Sequence, residues 1–396
     1  VPAKLWRFMG RLLNEMLIGI DGNEANIKDR VGVGGFAFGV LSGLYELDKK
    51  NSYRIYLKQP ALPSLPKERE NWQYEVFGPS FAWTQWRLPL KLYTERRQVD
   101  VFFSPNHYAP RFCPAPTVIS IMDLWHHRHP EQFRQKDLYQ LLKWEAYSVK
   151  QAAKIIAISE FTKEEIIKFY GLPEERIIVA YPGLGKEIKK LRNKEIEDVK
   201  RKYGIGSNYL LYLGTLQPKK NLVCLIEAFN ILDTAYHIPH TQLVFAGKKG
   251  WLYEDMFRKA KETGVGKRVV FTDYVSEEDK YPLIAGAKCF VLPSLYEGFG
   301  IPVLEAMALG VPVAISNVSS LPEVGGQAAF YFNPEKPESI AETLAGVLKL
   351  SPEEKEMTIR AGKIQAKKFT WEKCAEKILD TLERLVISNL PAGRQV

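Results

Sequence analysis

One run of residues constrains the fold more than any other: CFVLPSLYEGFGIPVLEAMALGVPVAISNVSSLPEVGG, from Cys289 to Gly326. Cys289 to Leu292 is a short apolar run with the length of a buried strand, and Tyr296 to Gly300 is a glycine-containing loop. Pro302 suits the opening of a helix, and Pro312 to Ile315 reads as a second strand. Strand, loop, helix and strand make a βαβ unit, in which the first loop meets the helix start. Backbone N–H groups and the helix dipole favour an anion there. Gly298 and Gly300 allow a ligand close to the backbone. Two carboxylates bracket the loop, Glu297 within it and Glu305, expected in the first helical turn. A carboxylate accepts two hydroxyl hydrogens side by side, which suits the vicinal diol of a ribose or hexose. These residues together predict a pocket for a sugar-bearing diphosphate. Taken singly, Glu305 also fits a dipole-favoured helix residue and Glu297 a solvated loop residue.

The same alternation of strand and helix runs through the chain. Its 396 residues suffice for two domains with separate cores. Expected boundaries are an N-terminal extension over 1–15, a first Rossmann-like domain over 16–184, a connection over 185–207, a second Rossmann-like domain over 208–368, a terminal helix over 369–388 and a tail over 389–396. The expected fold class is α/β. Four scattered cysteines form no CxxC pair, which points to a reducing compartment. No apolar run reaches the roughly 20 residues of a membrane span. The basic opening segment lacks the apolar core and cleavage site of a signal peptide, and an amphipathic membrane-lying helix is the alternative use for it. A formal charge of +9 calls for an acidic partner. No zinc-finger or RNP-like motif supports nucleic acid, so the expected partners are a nucleoside diphosphate and an anionic membrane face.

Candidate site residues lie where strands end. Met16 to Asp21 is followed by a loop holding Gly32, Gly34 and Gly35 ahead of a helix from about Phe36 to Lys49. Thr117 to Met122 ends at Asp123, and the carboxyl ends of open parallel sheets are where ligands bind. His126, His127 and His129 follow, but no acidic or cysteine residue stands beside them at ligand spacing, so no metal is expected. Trp83, Trp86 and Tyr93 are assigned to core packing, with an acceptor or lipid-facing groove as the alternative. Tyr209 to Leu213 leads to Gly214, Thr215, Lys219 and Lys220 before a helix over Leu222 to Leu232, where a lysine meets a diphosphate as a point charge. Val269 to Phe271 leads to Asp273, Tyr274 and Val275.

Several of these segments carry a family likeness. EGFGIPVLEAMALGVPV resembles the E-x7-E region of the retaining nucleotide-sugar transferases of glycosyltransferase family 4. VISIMDLWHHRHPEQF resembles the family's H-D-L…P-E segment, IIAISEFTKEEII its A-x-S-x-F-T-K block, and GTLQPKKN its G-R/T-L-x-P-x-K block. The resemblance implies the GT-B class, two Rossmann-like domains facing each other across a cleft, with the last helix crossing back to the first. It implies that Lys220 meets the donor phosphates, with Lys219 compensating for Thr215 where relatives carry arginine. Glu305 would hold the ribose diol and Glu297 the sugar hydroxyls. Gly298, Phe299, Gly300 and Ile301 would line the diphosphate, main-chain groups at Asp273 to Val275 the base, and Gly34, Gly35 and Gly214 the donor. Catalytic candidates are Glu297, Lys220 and Asp123. The family's donor-facing histidine is Met122 here, so the role of that imidazole is either absent or taken by a neighbour such as His126 or His127, which are assigned to the acceptor side.

The implied function is transfer of a hexose, with retention and without a metal or other cofactor, from a nucleoside diphosphate sugar to a hydroxyl of a glycan or lipid-linked glycan. Mannosyltransferase-like members give GDP-mannose as the first expectation, UDP- and ADP-sugars remaining open. The expected setting is cytoplasmic, at the inner membrane face. A GT-B epimerase and a silent nucleotide-sugar binder, the latter suggested by Met122, are the alternatives.

Overall fold

The structure, a computed structural model, describes residues 15–78, 81–185, 191–238 and 240–389. Most of the opening segment, including its membrane-lying-helix alternative, and most of the tail over 389–396 lie outside the described residues. The chain divides into two compact units, one of Val1–Gly183 with Thr370–Val396, the other of Leu184–Phe369.

The first unit is built on a seven-stranded parallel sheet of order β3-β2-β1-β4-β5-β6-β7. Its strands are β1 Leu17–Asp21, β2 Ser52–Leu57, β3 Trp72–Val76, β4 Val101–Ser104, β5 Thr117–Ile121, β6 Lys154–Ala157 and β7 Ile177–Val179. LIGID, VFFS and TVISI are buried at every position, as central strands covered on both faces must be. Ile119, Ile121, Ile155 and Ile166 form part of one core cluster, and Leu17, Trp83, Leu88 and Phe102 part of another.

Helix boundaries follow local chemistry. Ser159 caps the Glu160–Tyr170 helix by accepting the Thr162 N–H at 3.0 Å, and Gly171 ends it at φ 62°. Thr370 caps the Trp371–Ser388 helix in the same way. That last helix lies in the first unit, against Val33–Leu47. A Cβ on Gly39 would stand 2.3 Å from the Trp371 ring, and one on Gly43 2.8 Å from the Ala375 methyl, so bare glycine backbone lets the two helices close.

The second unit repeats the plan with six parallel strands in the order β10-β9-β8-β11-β12-β13. They are β8 Asn208–Leu213, β9 Thr241–Ala246, β10 Val269–Phe271, β11 Cys289–Leu292, β12 Val313–Ser316 and β13 Phe330–Phe332. Strand order reverses between β8 and β11, and in the first unit between β1 and β4; such a switch point opens a crevice at the carboxyl ends of the strands.

Several details differ from the sequence reading. Gly34 and Gly35 lie in the first turn of a helix that starts at Val33, not in the loop before it, because Gly32 at φ 52° makes the turn. The helix after the Glu297 loop starts at Ile301, which puts Glu305 in its second turn. The charged stretch after the first domain contains a helix, Asn193–Tyr203, within the second unit. Trp83 is buried at 3 % exposure, whereas Trp86 at 71 % and Tyr93 at 52 % are not core residues.

Candidate functional site

The switch point of the second unit brings two distant stretches together. Past β8, Pro218–Lys220 forms a 3-10 turn and Asn221, at φ 57°, starts the Leu222–Tyr236 helix. Past β11, the chain runs through Ser294 and Glu297 to Gly300, whose φ of 114° admits the turn into Ile301–Ala308. The Leu295 N–H donates to the Lys219 carbonyl at 2.9 Å and ties the two loops. Across this tie the Lys220 ammonium donates to Glu297 Oε1.

Glu297 is buried and held from several sides. Ser294 Oγ donates to Oε1 at 2.5 Å, and the Glu297 N–H donates to Ser319 Oγ at 3.0 Å. Ser320 Oγ stands 2.9 Å from the Glu297 carbonyl and 3.0 Å from that of Phe299. The segment after β12 therefore clamps the loop. Tyr212, buried beneath it, donates to the Thr215 carbonyl at 3.0 Å. Burial, reinforced by the Glu297 charge, pushes this phenol well above its ordinary range and keeps its proton in place.

Glu305 has a different cation. Lys280, from the Glu277–Ala285 helix, places Nζ 2.9 Å from Glu305 Oε1 and 2.9 Å from Glu277. Burial pushes the Glu305 carboxyl up, with Lys280 pulling against it. Burial lowers the Lys280 ammonium, and Glu305, with Tyr281 and Glu277, together more than offset this. Each of the two carboxylates thus has a lysine of its own, from a separate stretch of chain.

Along the β9 and β10 ends, the Gly247 N–H donates to the Asp273 carbonyl at 2.9 Å, and Lys249 stands 3.3 Å from the Asp273 carboxylate. Lys248 lies over the Tyr274 ring at 4.5 Å, while Val275 is buried. A Cβ on Gly247 would fall 2.1 Å from the Gly214 carbonyl oxygen, so these strand ends meet backbone to backbone.

In the first unit, the β5 end is built around a carboxylate the sequence did not single out. Glu145, fully buried at the end of a π-helical turn over Leu141–Glu145, accepts from Tyr170 Oη at 2.6 Å. His126 Nε2 lies 3.2 Å and His127 Nε2 3.6 Å from the same oxygen. His107 Nδ1 is 2.5 Å from the other oxygen. The Met122 N–H donates to His107 Nε2 at 3.2 Å, which leaves the ring proton on Nδ1, toward Glu145. Burial raises the Glu145 carboxyl, and hydrogen bonds from the three imidazoles outweigh it, leaving the group well below the usual carboxylate range.

His126 and His127 therefore turn inward to Glu145, and His127 also stacks on Phe169 at 4.7 Å. Asp123 Oδ1 accepts the Trp125 N–H at 3.2 Å, just ahead of the one-turn helix Trp125–Arg128. Arg128 forms a two-pronged pair with Glu165 at 2.7 Å on both arms. The absence of acidic neighbours by spacing was misleading: Glu145 is brought to the histidines by helices, not by proximity in the chain.

Comparison with known proteins bears on this geometry. Residues 57–186 match the family described as Glycosyltransferase Family 4, and residues 194–365 match Glycosyl transferases group 1. O-antigen chain mannosyltransferase B of Escherichia coli is 33% identical over 297 residues, 72% of this chain and 74% of that protein. The chain belongs to glycosyltransferase family 4. This glycosyltransferase is also 27% identical over 280 residues to the serotype-specific mannosyltransferase WbdA of the same organism, spanning 34% of its length. Among solved structures, Alr3699/HepE of Anabaena in complex with UDP has a TM-score of 0.71 at 18% identity, covering 93% of this chain and 100% of that one. WaaG, described as a glycosyltransferase involved in lipopolysaccharide biosynthesis, has a TM-score of 0.67 at 19% identity, covering 93% and 99%. Together with the two Rossmann-like sheets, these likenesses give the glycosyltransferase the GT-B class of fold.

Within this enzyme, sequence reasoning missed Ser294, Ser319, Ser320 and Lys280 at the second unit's carboxylates, and His107, Glu145 and Tyr170 in the first unit. The three serines lie within the Cys289 to Gly326 run that the sequence singled out and carried that much signal. Lys280 and Glu145 sit in ordinary helical sequence and carried none.

Proposed function

We propose that this glycosyltransferase moves a hexose from a nucleoside diphosphate sugar to a hydroxyl of a glycan or lipid-linked glycan, retaining the anomeric configuration. The observation carrying the reading is the Lys220–Glu297 pair at the β8/β11 switch point, beside a helix start. A diphosphate there meets a point charge and a dipole, and the partial exchange of Lys220 from Glu297 to phosphate frees the carboxylate for sugar hydroxyls. Glu305 accepts the ribose diol, with Lys280 keeping it ionised. Gly214, Thr215 and Lys219 together with Gly298 to Ile301 line the donor's phosphates and sugar, and Asp273 to Val275 the base.

The leaving diphosphate is stabilised on this reading by Lys220 and by backbone N–H groups around Phe299 and Gly300, without a catalytic metal. Retention needs no protein nucleophile if the departing phosphate oxygen takes the acceptor proton on the same face of the sugar. GDP-mannose is the first donor to try, because O-antigen chain mannosyltransferase B is a relative; UDP follows from the ligand of Alr3699/HepE.

A panel of GDP-, UDP- and ADP-sugars tests the reading. Nucleoside diphosphate release that rises with added glycan acceptor, unchanged by added Mg2+ or Mn2+, with an axial or equatorial product bond matching the donor by NMR, supports it. An epimerised donor, or nucleotide binding with no turnover against any acceptor, contradicts it.

A further inference from the structure

We propose that His126, His127 and Glu145 form a binding site for one divalent transition-metal ion of the zinc type, held by two imidazole Nε2 atoms and a carboxylate oxygen. The three donor atoms lie within 4.8 Å of one another. His126 and His127 stand 3.2 and 3.6 Å from Glu145 Oε1, close to the edge of about 3.3 Å that a tetrahedron of metal–ligand bonds near 2.0–2.2 Å requires.

Three features set this cluster apart from a chance meeting of side chains. First, His126 and His127 are consecutive residues of a single-turn helix, which ordinarily point about 100° apart, yet both address one carboxylate oxygen. Second, Glu145 closes a π-helical turn, a local distortion associated with functional sites. Third, the outer groups are those that orient metal ligands: His107 Nδ1–H fixes the second carboxylate oxygen, its tautomer set by the Met122 N–H, and Tyr170 Oη stands 2.6 Å from Oε1 and 2.9 Å from His127 Nε2.

Charge argues the same way. The buried Glu145 anion is ringed by three imidazoles and a phenol. A divalent ion taking both Nε2 lone pairs, with the imidazole protons moved to Nδ1, sets positive charge against that carboxylate. Two nitrogens and one oxygen suit zinc or cobalt, whereas magnesium and calcium prefer all-oxygen sets. A water completes four-coordination. The ion would pin the segment after β5, Met122 through His129, to the helices of Glu145 and Tyr170. All these ligands belong to the first unit and the diphosphate residues proposed above to the second, so this proposal is independent of the donor chemistry.

The test uses the full chain, stripped with a chelator and titrated with Co2+. The expected result is visible ligand-field absorption that saturates at one ion per chain, is displaced by Zn2+, and accompanies a rise in melting temperature. His127→Asn abolishes the absorption in a folded protein, and His107→Gln weakens binding by about 10–100-fold. Glu145→Gln serves as a second variant, and His129→Asn, altering a partly exposed histidine 2.9 Å from Glu131, leaves binding intact. No saturable absorption in the folded wild type, or the same absorption in His127→Asn, overturns the proposal.

Discussion

At the scale of single residues, the second unit places charges out of water in matched pairs. Lys220 and Glu297 keep only 13% and 10% of their side-chain surface exposed. Removing one partner leaves the other buried without its counter-charge. Lys220→Met is therefore expected to destabilise the second unit by about 3 kcal/mol. The double variant Lys220→Met/Glu297→Gln is expected to recover most of that loss without recovering transfer. Denaturant melts of the single and double variants, read as a cycle, check this. Lys280 and Glu305 give a pH prediction. A carboxyl raised by folding favours the protonated folded state, so its ionisation costs stability as pH climbs through its folded pKa. Lys280 limits that rise at Glu305. In Lys280→Met the limit is gone, so the melting-temperature gap to wild type should be small near pH 4 and widen as pH rises above about 4.5, the ordinary glutamate range. A gap that is constant with pH would mean that Lys280 acts through packing alone.

At the scale of elements, the helix pair Val33–Leu47 and Trp371–Ser388 closes because Gly39 and Gly43 present backbone to Trp371 and Ala375. Gly39→Val would place methyl groups where the indole ring lies. The expected cost is at least about 1–3 kcal/mol, visible as a lower melting temperature of the whole chain. Gly35→Ala, at a position where a Cβ meets nothing within 4 Å, should be tolerated and serves as its control. The last helix, expected over 369–388, was legible to within two residues, and the apolar strands VFFS, TVISI and CFVL were legible because parallel strands buried on both faces leave unbroken apolar runs. Helix starts were less so: nothing in the spacing of Gly32, Gly34 and Gly35 says which glycine makes the turn, and Pro302 fits the second helical position as well as the first. Partners supplied by other elements were illegible altogether. Glu145 reaches His126 and His127 only after an intervening helix has turned it inward, and Lys280 reaches Glu305 from a neighbouring helix.

At the scale of the whole molecule, a net charge of +9 and an exposed aromatic face make anionic membrane surfaces a partner class to test. Trp86, Leu90 and Tyr93 follow one another at four and three positions, all exposed, with Phe81 at 82 % exposure nearby in sequence. Exposed Arg87, Arg96 and Arg97 accompany them. No helix among the described residues is long and apolar enough to cross a membrane. Binding to vesicles containing anionic lipid is expected to fall at least about 10-fold in Trp86→Ser/Tyr93→Ser, and to weaken with salt. Unchanged vesicle binding in that variant would exclude this face. Family membership itself was legible from the second half of the chain, since the strand-end glycines, Lys220 and the two glutamates fall in contiguous motifs.

The most direct test of the central claim, that the switch point of the second unit holds and activates the donor, is the steady-state rate of acceptor-dependent nucleoside diphosphate release by wild type and Lys220→Met. With GDP-mannose or whichever donor the panel selects, the account predicts a loss of about 100–1,000-fold in turnover, the scale of removing one preorganised charge stabiliser, in a variant that still melts cooperatively. Turnover within a few-fold of wild type in that folded variant would contradict it.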